Sequence, residues 1–310
     1  MTMITTPSGQ VTSRFSFGTM QWGLNADANA SNALYTTCRE AGINHFDTAN
    51  LYCGGDSEKL LGKFSSRERD DLIIATKVGY EGGAGRQNLI AQFDQSRRRL
   101  FMDMVDILYL HRFDWDTPLA ETLETFALLR ETGKIRFVGL SNFAAWQVMR
   151  AIYEARTFDL PISLMQPMYS LVKRQVEVEI LPMCAEMDIK VASYSPLGGG
   201  LLTGKYATGG TGRLSEDDRY ATRYGQEHMH NAADVLIKIG QEVGKHPATL
   251  AVAWAGKHWT NPIPIISARS VLQVQPSLAA LNFDMDDELY AKLSKLSPTP
   301  PPATDRIEEA

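Results

Sequence analysis

Short apolar runs alternate with longer amphipathic segments along nearly the whole chain. Eight β-rich runs stand out, at residues 15–20, 43–48, 72–78, 104–111, 135–141, 162–169, 190–194 and 263–267. They are almost continuously apolar, as is typical of parallel strands that are buried on both faces. The segments between them have helical periodicity; in residues 118–134, for example, Leu119, Leu123 and Phe126 fall on one face. Gly42 and Gly133 follow two of these segments, where glycine commonly ends a helix.

Eight consecutive strand-then-helix units predict a single-domain α/β protein, a (β/α)₈ TIM barrel rather than an open sheet. We assign the barrel to residues 13–297, with a polar N-terminal lead at 1–12 and a proline-rich C-terminal tail at 298–310. An extended, glycine-rich loop follows strand seven at residues 198–224. A loop of this length in a compact domain usually has a function or is partly disordered, and two readings stay open here, a segment that folds over a bound ligand and a plain mobile surface loop.

Composition narrows the class of protein. Apolar residues make up 44% of the 310 residues and charged residues 22%, which is typical of soluble globular proteins. The net charge of −5 argues against general binding to nucleic acid or anionic lipid. Three cysteines, an odd number, indicate reduced thiols in a cytoplasmic protein. No run is long enough to span a membrane, and the start lacks the apolar stretch of a signal peptide. We therefore expect a cytoplasmic protein with a small-molecule partner and no metal site, and its oligomeric state stays open.

Polar residues of four kinds come at or just after the ends of three neighbouring predicted strands. Asp47 ends strand two and Tyr52 follows it, Lys77 ends strand three, and His111 ends strand four. Each alone has a plain structural reading, as a turn residue, a packed ring, a solvent-reaching amine or a structural imidazole. Together they suit proton transfer to a carbonyl oxygen, because a barrel gathers its active site at this end of its strands. Tyr52 would supply the proton, Lys77 would lower its pKa, Asp47 would hold Lys77, and neutral His111 would orient the carbonyl.

At this point the sequence resembles a known family, the aldo-keto reductases, in its long-loop branch, which includes bacterial enzymes and potassium-channel beta subunits. The motifs that carry the resemblance occur in the family's order: HFDTANLYCGGDSEKLLGKF (45–64), IIATKVG (73–79), MVDILYLHRFD (104–114), VGLSNF (138–143), MQPMYSL (165–171) and ASYSPLGGGLLTGKY (192–206). The resemblance implies a barrel that binds NADPH, less often NADH. It also implies a catalytic tetrad at Asp47, Tyr52, Lys77 and His111, with Tyr52 as general acid or base.

The cofactor site follows from the same resemblance, since no G-x-G-x-x-G opens a βαβ unit. Ser141, Asn142 and Gln166 match residues that bind the nicotinamide amide, and Tyr194 matches the ring that stacks on it. A loop at 195–200, with Ser195, Leu197 and Gly199, would wrap the pyrophosphate. Ser267, Arg269, Ser270 and Gln273 would bind the 2′-phosphate, which favours NADPH.

Two features of this predicted cofactor site stay open. Ser141 and Asn142 have a structural alternative as a cap for the next helix. Pro276 and Ser277 stand where relatives often have a Glu-Asn pair that contacts adenine, so NADH remains possible.

Four aromatic residues would line the substrate pocket: Trp22, Tyr80, Phe113 and Trp115. Such a wall suits aldehydes, ketones and sugar rings alike. The sequence therefore predicts an NAD(P)(H)-dependent oxidoreductase that interconverts a carbonyl and an alcohol. Two alternatives remain: an aldose or alcohol dehydrogenase, and a cofactor-binding regulatory or redox-sensing subunit with slow turnover.

Overall fold

A computed structural model describes residues 3–309. Its sheet is a closed barrel of eight parallel strands, each paired with its neighbours in chain order, and β1 pairs with β8. The strands are β1 Ser16–Gly18, β2 His45–Asp47, β3 Ile73–Val78, β4 Val105–Leu110, β5 Ile135–Ser141, β6 Ile162–Gln166, β7 Lys190–Tyr194 and β8 Ile263–Ile266. The predicted (β/α)₈ barrel is confirmed, and the observed strands lie within the predicted runs.

Helices follow the strands around the outside of the barrel. They are α1 Ala28–Glu40, α2 Asp56–Ser65, α3 Arg86–Leu100, α4 Leu119–Glu131, α5 Ala145–Ala155, α6 Ile180–Glu186, α7 Arg213–Glu216, α8 Asp218–Tyr224, α9 Glu227–Glu242, α10 Pro247–Lys257, α11 Val271–Ala279 and α12 Asp287–Ser294. Gly42 and Gly133 follow α1 and α4 with φ of 86° and 69°, the left-handed conformation expected of glycines that end helices. Within the described part of the chain, no helix combines the length and apolarity needed to cross a membrane.

The barrel interior and the outer shell are packed separately. Strand side chains such as Phe46 and Leu108 face outward into one large cluster with Leu61, Phe93 and Leu123 of the helices. A smaller cluster fills the interior; its members are Ile4, Ile73, Ala75, Ile107, Tyr109 and Leu164. Side chains fill this interior, so a ligand cannot pass through the barrel. A ligand would bind at the mouth of the barrel, which is the end formed by the carboxyl ends of the strands.

The N-terminal lead takes part in this interior packing. Ile4 is 1% exposed within the interior cluster, and Thr5 pairs with Val11 in an antiparallel bridge. Arg136 Nη1 also donates to the Thr5 carbonyl at 2.7 Å. Residues 3–12 are therefore packed against the barrel rather than separate from it, because Ile4 supplies apolar volume that the strands leave unfilled.

The segment between β7 and α9 (residues 195–226, the β7–α9 segment) is more ordered than a plain loop. It contains two 3₁₀ turns, Gly198–Thr203 and Lys205–Thr208, and the short helices α7 and α8. Leu201, Leu202 and Tyr224 are buried. The segment is thus held against the barrel mouth by its own apolar side chains.

Candidate active site

A buried ion pair lies at the centre of the barrel mouth. Asp47 ends β2 and Lys77 lies on the neighbouring β3. The exposed fraction is 3% for Asp47 and 1% for Lys77. Lys77 Nζ donates to Asp47 Oδ1 and, at 2.7 Å, to the carbonyl of Thr48. The other carboxylate oxygen, Asp47 Oδ2, accepts from Gln166 Nε2 at 2.8 Å. Both charges are therefore paired and hydrogen-bonded, as charges removed from water need to be.

Tyr52 faces this ion pair from the loop after β2. Its hydroxyl lies 3.4 Å from Lys77 Nζ, which is also 4.9 Å from the centroid of the Tyr52 ring. Although the side chain as a whole keeps some exposure, its hydroxyl is surrounded by protein, and this burial raises the pKa of Tyr52. Lys77 opposes that rise and Asp47 adds to it. Lys77 acts in the predicted direction, but the expected net lowering of the pKa is wrong, because burial of the phenol outweighs the nearby ammonium.

The same burial and charges act on Lys77. Burial alone would lower the pKa of the ammonium, but the Asp47 carboxylate and Tyr52 outweigh it and raise the pKa above its ordinary value. Lys77 is therefore charged at neutral pH. The site thus places the charged Lys77 ammonium next to a Tyr52 hydroxyl that is protonated at neutral pH.

His111 lies on the other side of Tyr52, just after β4. The two ring centroids are 6.0 Å apart and the rings are nearly perpendicular. Burial, the charge of Lys77 and the charge of Arg112 lower the pKa of His111 to about 3. The imidazole is therefore neutral at physiological pH, as the sequence predicts, and its ring is in edge contact with that of Tyr52.

A second buried network supports the loop that carries Tyr52. Glu58 of α2 is fully buried; it accepts from Thr76 Oγ1 at 2.7 Å and pairs with Arg99 of α3 at 3.3 Å. Arg99 also donates to the carbonyl of Asn50 at 2.8 Å. Sequence reasoning missed this network and the bond from Gln166 to Asp47, because their members come from elements that only the closed barrel brings together.

The four residues assigned to the nicotinamide lie together at the ends of β5, β6 and β7. Asn142 Nδ2 donates to the His111 carbonyl at 3.0 Å, and Asn142 Oδ1 accepts from the Tyr194 hydroxyl at 2.7 Å. Ser141 Oγ donates to the backbone carbonyl of Gln166 at 3.0 Å. The helix-cap alternative is not met, because α5 begins after Ala144, whose N–H donates to Gln147 Oε1.

The residues assigned to the 2′-phosphate also cluster, at the start of α11. Ser270 caps that helix, and Gln273 Oε1 accepts from the Arg269 N–H at 3.0 Å. The Arg269 guanidinium contacts Glu216 of α7 at 3.1 Å. Ser267 Oγ is buried and has no hydrogen-bond partner within residues 3–309.

The assigned pyrophosphate loop follows β7 and carries an unusual run of backbone conformations. Gly198, Gly199 and Gly200 have φ of 56°, 66° and 101°, and Ser195 has φ of 60°. A Cβ at Gly199 would lie 2.8 Å from the ring of Tyr220. Glycine is therefore required where this loop, with Leu197, passes beneath α8.

Three of the four predicted pocket aromatics lie at the mouth, and one does not. Tyr80 packs on His111 with ring centroids 5.0 Å apart, and Phe113 packs on Trp115 at 4.9 Å. Trp146, which sequence reasoning missed, extends this wall and lies 5.8 Å from Trp115. Trp22 instead lies fully buried in the outer core against Phe17 and Phe64, because the chain after β1 turns back over the barrel wall.

Comparison with known proteins agrees with this geometry. The sequence model of the Aldo/keto reductase family matches residues 14–298. The chain therefore belongs to the aldo/keto reductase family, which uses nicotinamide cofactors, and membership supports a carbonyl-reducing oxidoreductase.

Relatives with different names align with most of this chain. It is 30% identical to the uncharacterized oxidoreductase YrpG of Bacillus subtilis, over 94% of each chain. It is 33% identical to a probable voltage-gated potassium channel subunit beta of Arabidopsis thaliana, over 89% of each. It is 30% identical to an L-glyceraldehyde 3-phosphate reductase of Escherichia coli, over 81% of this chain and 78% of the relative.

Proposed function

We propose that the protein reduces an aldehyde or ketone to an alcohol with NADPH, with Tyr52 as the general acid. The observation that carries this proposal is the Tyr52 hydroxyl, which lies 3.4 Å from the buried Lys77 ammonium and faces the neutral ring of His111. A carbonyl oxygen in contact with both side chains would meet one proton donor and one orienting group.

Each of the four residues of the tetrad has its own role in the proton transfer. Tyr52 donates its hydroxyl proton to the carbonyl oxygen, and a nicotinamide cofactor, when bound, would supply the hydride that the carbonyl carbon needs. The raised pKa of Tyr52 keeps that proton in place until it is needed, and Lys77 stabilises the phenolate that remains. Asp47 keeps the Lys77 ammonium in position, and Gln166 keeps the carboxylate in position. In the oxidising direction the same groups act in reverse, so they serve an alcohol or aldose dehydrogenase equally well.

The residues around the mouth fit a nicotinamide dinucleotide. Tyr194, Asn142 and Ser141 offer a ring face and amide and hydroxyl groups beside His111. The glycine run at 198–200 permits the close backbone approach that a pyrophosphate needs. The unpartnered Ser267 hydroxyl, with Arg269 at the start of α11, supports binding of a 2′-phosphate and hence NADPH over NADH.

The function is tested by multiple turnover. The purified protein is mixed with 4-nitrobenzaldehyde and either NADPH or NADH, and oxidation of the cofactor is followed by its absorbance. We expect repeated turnover and a higher kcat/KM with NADPH. Failure to turn over this and a panel of ketones and sugars, in both directions, would refute the enzymatic proposal.

A second candidate rests on the Arabidopsis relative, which is named as a channel subunit. On that reading the chain retains its cofactor and acts as a slow regulatory or redox-sensing subunit. Cofactor that stays bound through gel filtration, with less than one turnover on mixing with excess aldehyde, would favour it.

A further inference from the structure

The mouth of the barrel carries exposed positive charge, although the chain has a net charge of −5. Arg112 follows His111 directly, and its guanidinium carbon lies 4.6 Å from the centroid of the Tyr80 ring. The Tyr80 ring in turn lies 5.0 Å from that of His111. The charge of Arg112 is close enough to contribute to the low pKa of His111. The Arg112 guanidinium therefore stacks on a ring that itself contacts the imidazole that would orient the carbonyl.

A second arginine lies on the helix that covers the mouth. Arg223 of α8 has its guanidinium carbon 5.5 Å from the ring of Tyr220. Tyr220 lies close enough to Tyr52 to add to the rise in its pKa, and Arg223 opposes the rise in the pKa of Tyr194. Arg223 thus adds positive potential near Tyr194 and the Tyr220 ring.

Neither arginine has a carboxylate in direct contact within the described residues, although the charge of Arg112 contributes to the lowered pKa of Asp114 and that of Arg223 to the lowered pKa of Asp217. Among residues 3–309, no carboxylate lies within ion-pair distance of Arg112 or Arg223, whereas Arg219 and Arg269 each have an acidic partner. Asp114, the carboxylate nearest to Arg112 in sequence, already accepts from the Thr117 hydroxyl at 2.6 Å and from the Ala84 N–H at 2.7 Å. The guanidinium of Arg112 is therefore open to an anion.

That anion is not one of the phosphates assigned to the cofactor. The pyrophosphate loop follows β7 and the 2′-phosphate cluster follows β8, whereas Arg112 follows β4. In a closed barrel of eight strands in chain order, β4 lies diametrically opposite β8. Arg112 is thus on the far side of the mouth from the adenosine end, where the body of a substrate would leave the site.

We propose that the substrate is an aldehyde or ketone that carries a carboxylate, and that Arg112 binds this carboxylate while Arg223 contributes positive potential. This proposal rests on the proposed reductase function. A carboxylate suits the site because the planar guanidinium can form two parallel hydrogen bonds with it. The Tyr80 ring orders the guanidinium by stacking, which lowers the entropy lost on binding.

The test compares one aldehyde in an anionic and a neutral form, 4-formylbenzoate and its methyl ester. The measured quantity is the ratio of kcat/KM for the anion to kcat/KM for the ester, with NADPH. We expect Arg112→Gln to lower this ratio about tenfold. Arg112→Lys keeps the charge but cannot form two parallel hydrogen bonds with a carboxylate, and it should lower the ratio about threefold. Arg223→Gln should also lower it by about threefold. Added salt should lower the wild-type ratio, since it screens exposed charges.

A matched control is Arg67→Gln, which removes one exposed positive charge in the segment before β3, at the opposite end of the barrel. Its ratio should stay within twofold of wild type. If the wild type reduces both aldehydes but the ratio is unchanged in Arg112→Gln, in Arg223→Gln and by salt, the carboxylate proposal is overturned. If the wild type reduces neither aldehyde nor any other carbonyl, the reductase function itself is wrong. Thermal unfolding of each variant shows whether it has folded.

Discussion

The proposed role of Tyr52 depends on its hydroxyl proton alone. Tyr52→Phe keeps the ring that Lys77 Nζ faces at 4.9 Å but removes that proton. We expect the rate of the reduction step to fall by about 10²–10⁴-fold, the usual contribution of a general acid, with NADPH still bound. Single-turnover kinetics measure the rate of the reduction step, and a fluorescence titration measures the binding of NADPH. Retention of more than a tenth of the wild-type rate would contradict the role of Tyr52 as the acid.

Lys77 and Asp47 form a pair in which each residue makes the burial of the other tolerable. Lys77→Met leaves the Asp47 carboxylate buried and, among the side chains of residues 3–309, hydrogen-bonded to Gln166 alone, so we expect a loss of about 3–5 kcal/mol in the free energy of unfolding. The double variant Asp47→Asn/Lys77→Met removes both charges and should recover most of this loss while remaining inactive. Urea unfolding measures both effects.

The control for this pair is an exposed ion pair on α2. Lys59→Met breaks a contact with Asp56 in which both side chains are more than half exposed, and it should cost no more than about 1 kcal/mol. If Lys77→Met lowered the free energy of unfolding as little as Lys59→Met does, Lys77 would not be needed to compensate for the burial of the Asp47 carboxylate.

At the scale of elements, the strands and the tetrad could be predicted because their signals are local. Each strand is a short apolar run, and each tetrad residue lies at or near the end of one, so the barrel topology alone brings them together. Ile4 gave no such signal, because one apolar residue in a polar stretch has no periodicity. The raised pKa of Tyr52 was also beyond the sequence, since it depends on how closely atoms surround the phenol.

Contacts between distant elements were likewise out of reach. Gln166 and Asp47 are 119 residues apart and meet only across the barrel. Trp22 was expected at the mouth because it follows β1, but side-chain direction after a strand is set by tertiary packing. The contact of Arg269 with Glu216 depends on how the β7–α9 segment folds back, which its glycine-rich composition does not determine.

The start of α11 carries a prediction about cofactor choice. Arg269→Ala removes the guanidinium proposed to bind the 2′-phosphate, and a hydrogen-bonded charge is worth about 1.5–3 kcal/mol. We expect the Kd for NADPH to rise by about 10–100-fold and the Kd for NADH to change little, as measured by fluorescence titration. Arg150→Ala, an exposed arginine on α5 paired with Glu154, is the control and should change neither. Equal weakening of both cofactors would place Arg269 elsewhere than at the 2′-phosphate.

For the molecule as a whole, two buried histidines predict how stability depends on pH. His45 of β2 is fully buried with no hydrogen-bond partner for its ring in the described residues, and burial, with a contribution from Lys77, lowers its pKa to about 3. The pKa of His111 is also about 3. A histidine in the unfolded chain titrates near 6.5. As the pH falls below that value, these histidines bind protons in the unfolded chain but stay unprotonated in the folded protein. The free energy of unfolding therefore decreases between about pH 6.5 and pH 3.

At pH 5 this loss amounts to about 2 kcal/mol for each histidine, which is large against a total stability of about 5–15 kcal/mol. Glu58 opposes it, because burial raises the pKa of that carboxyl and the folded state then binds its proton more readily. The decisive quantity is therefore a difference between variants, measured by urea unfolding at pH 7 and pH 5. His45→Phe, which keeps a ring of similar size, should reduce the loss between these pH values by about 2 kcal/mol. His228→Gln, at an exposed position of α9, should leave the loss unchanged. An equal loss in wild type and His45→Phe would mean that His45 is protonated in the folded barrel, and a second cation beside Lys77 would then have to be accommodated in the active site.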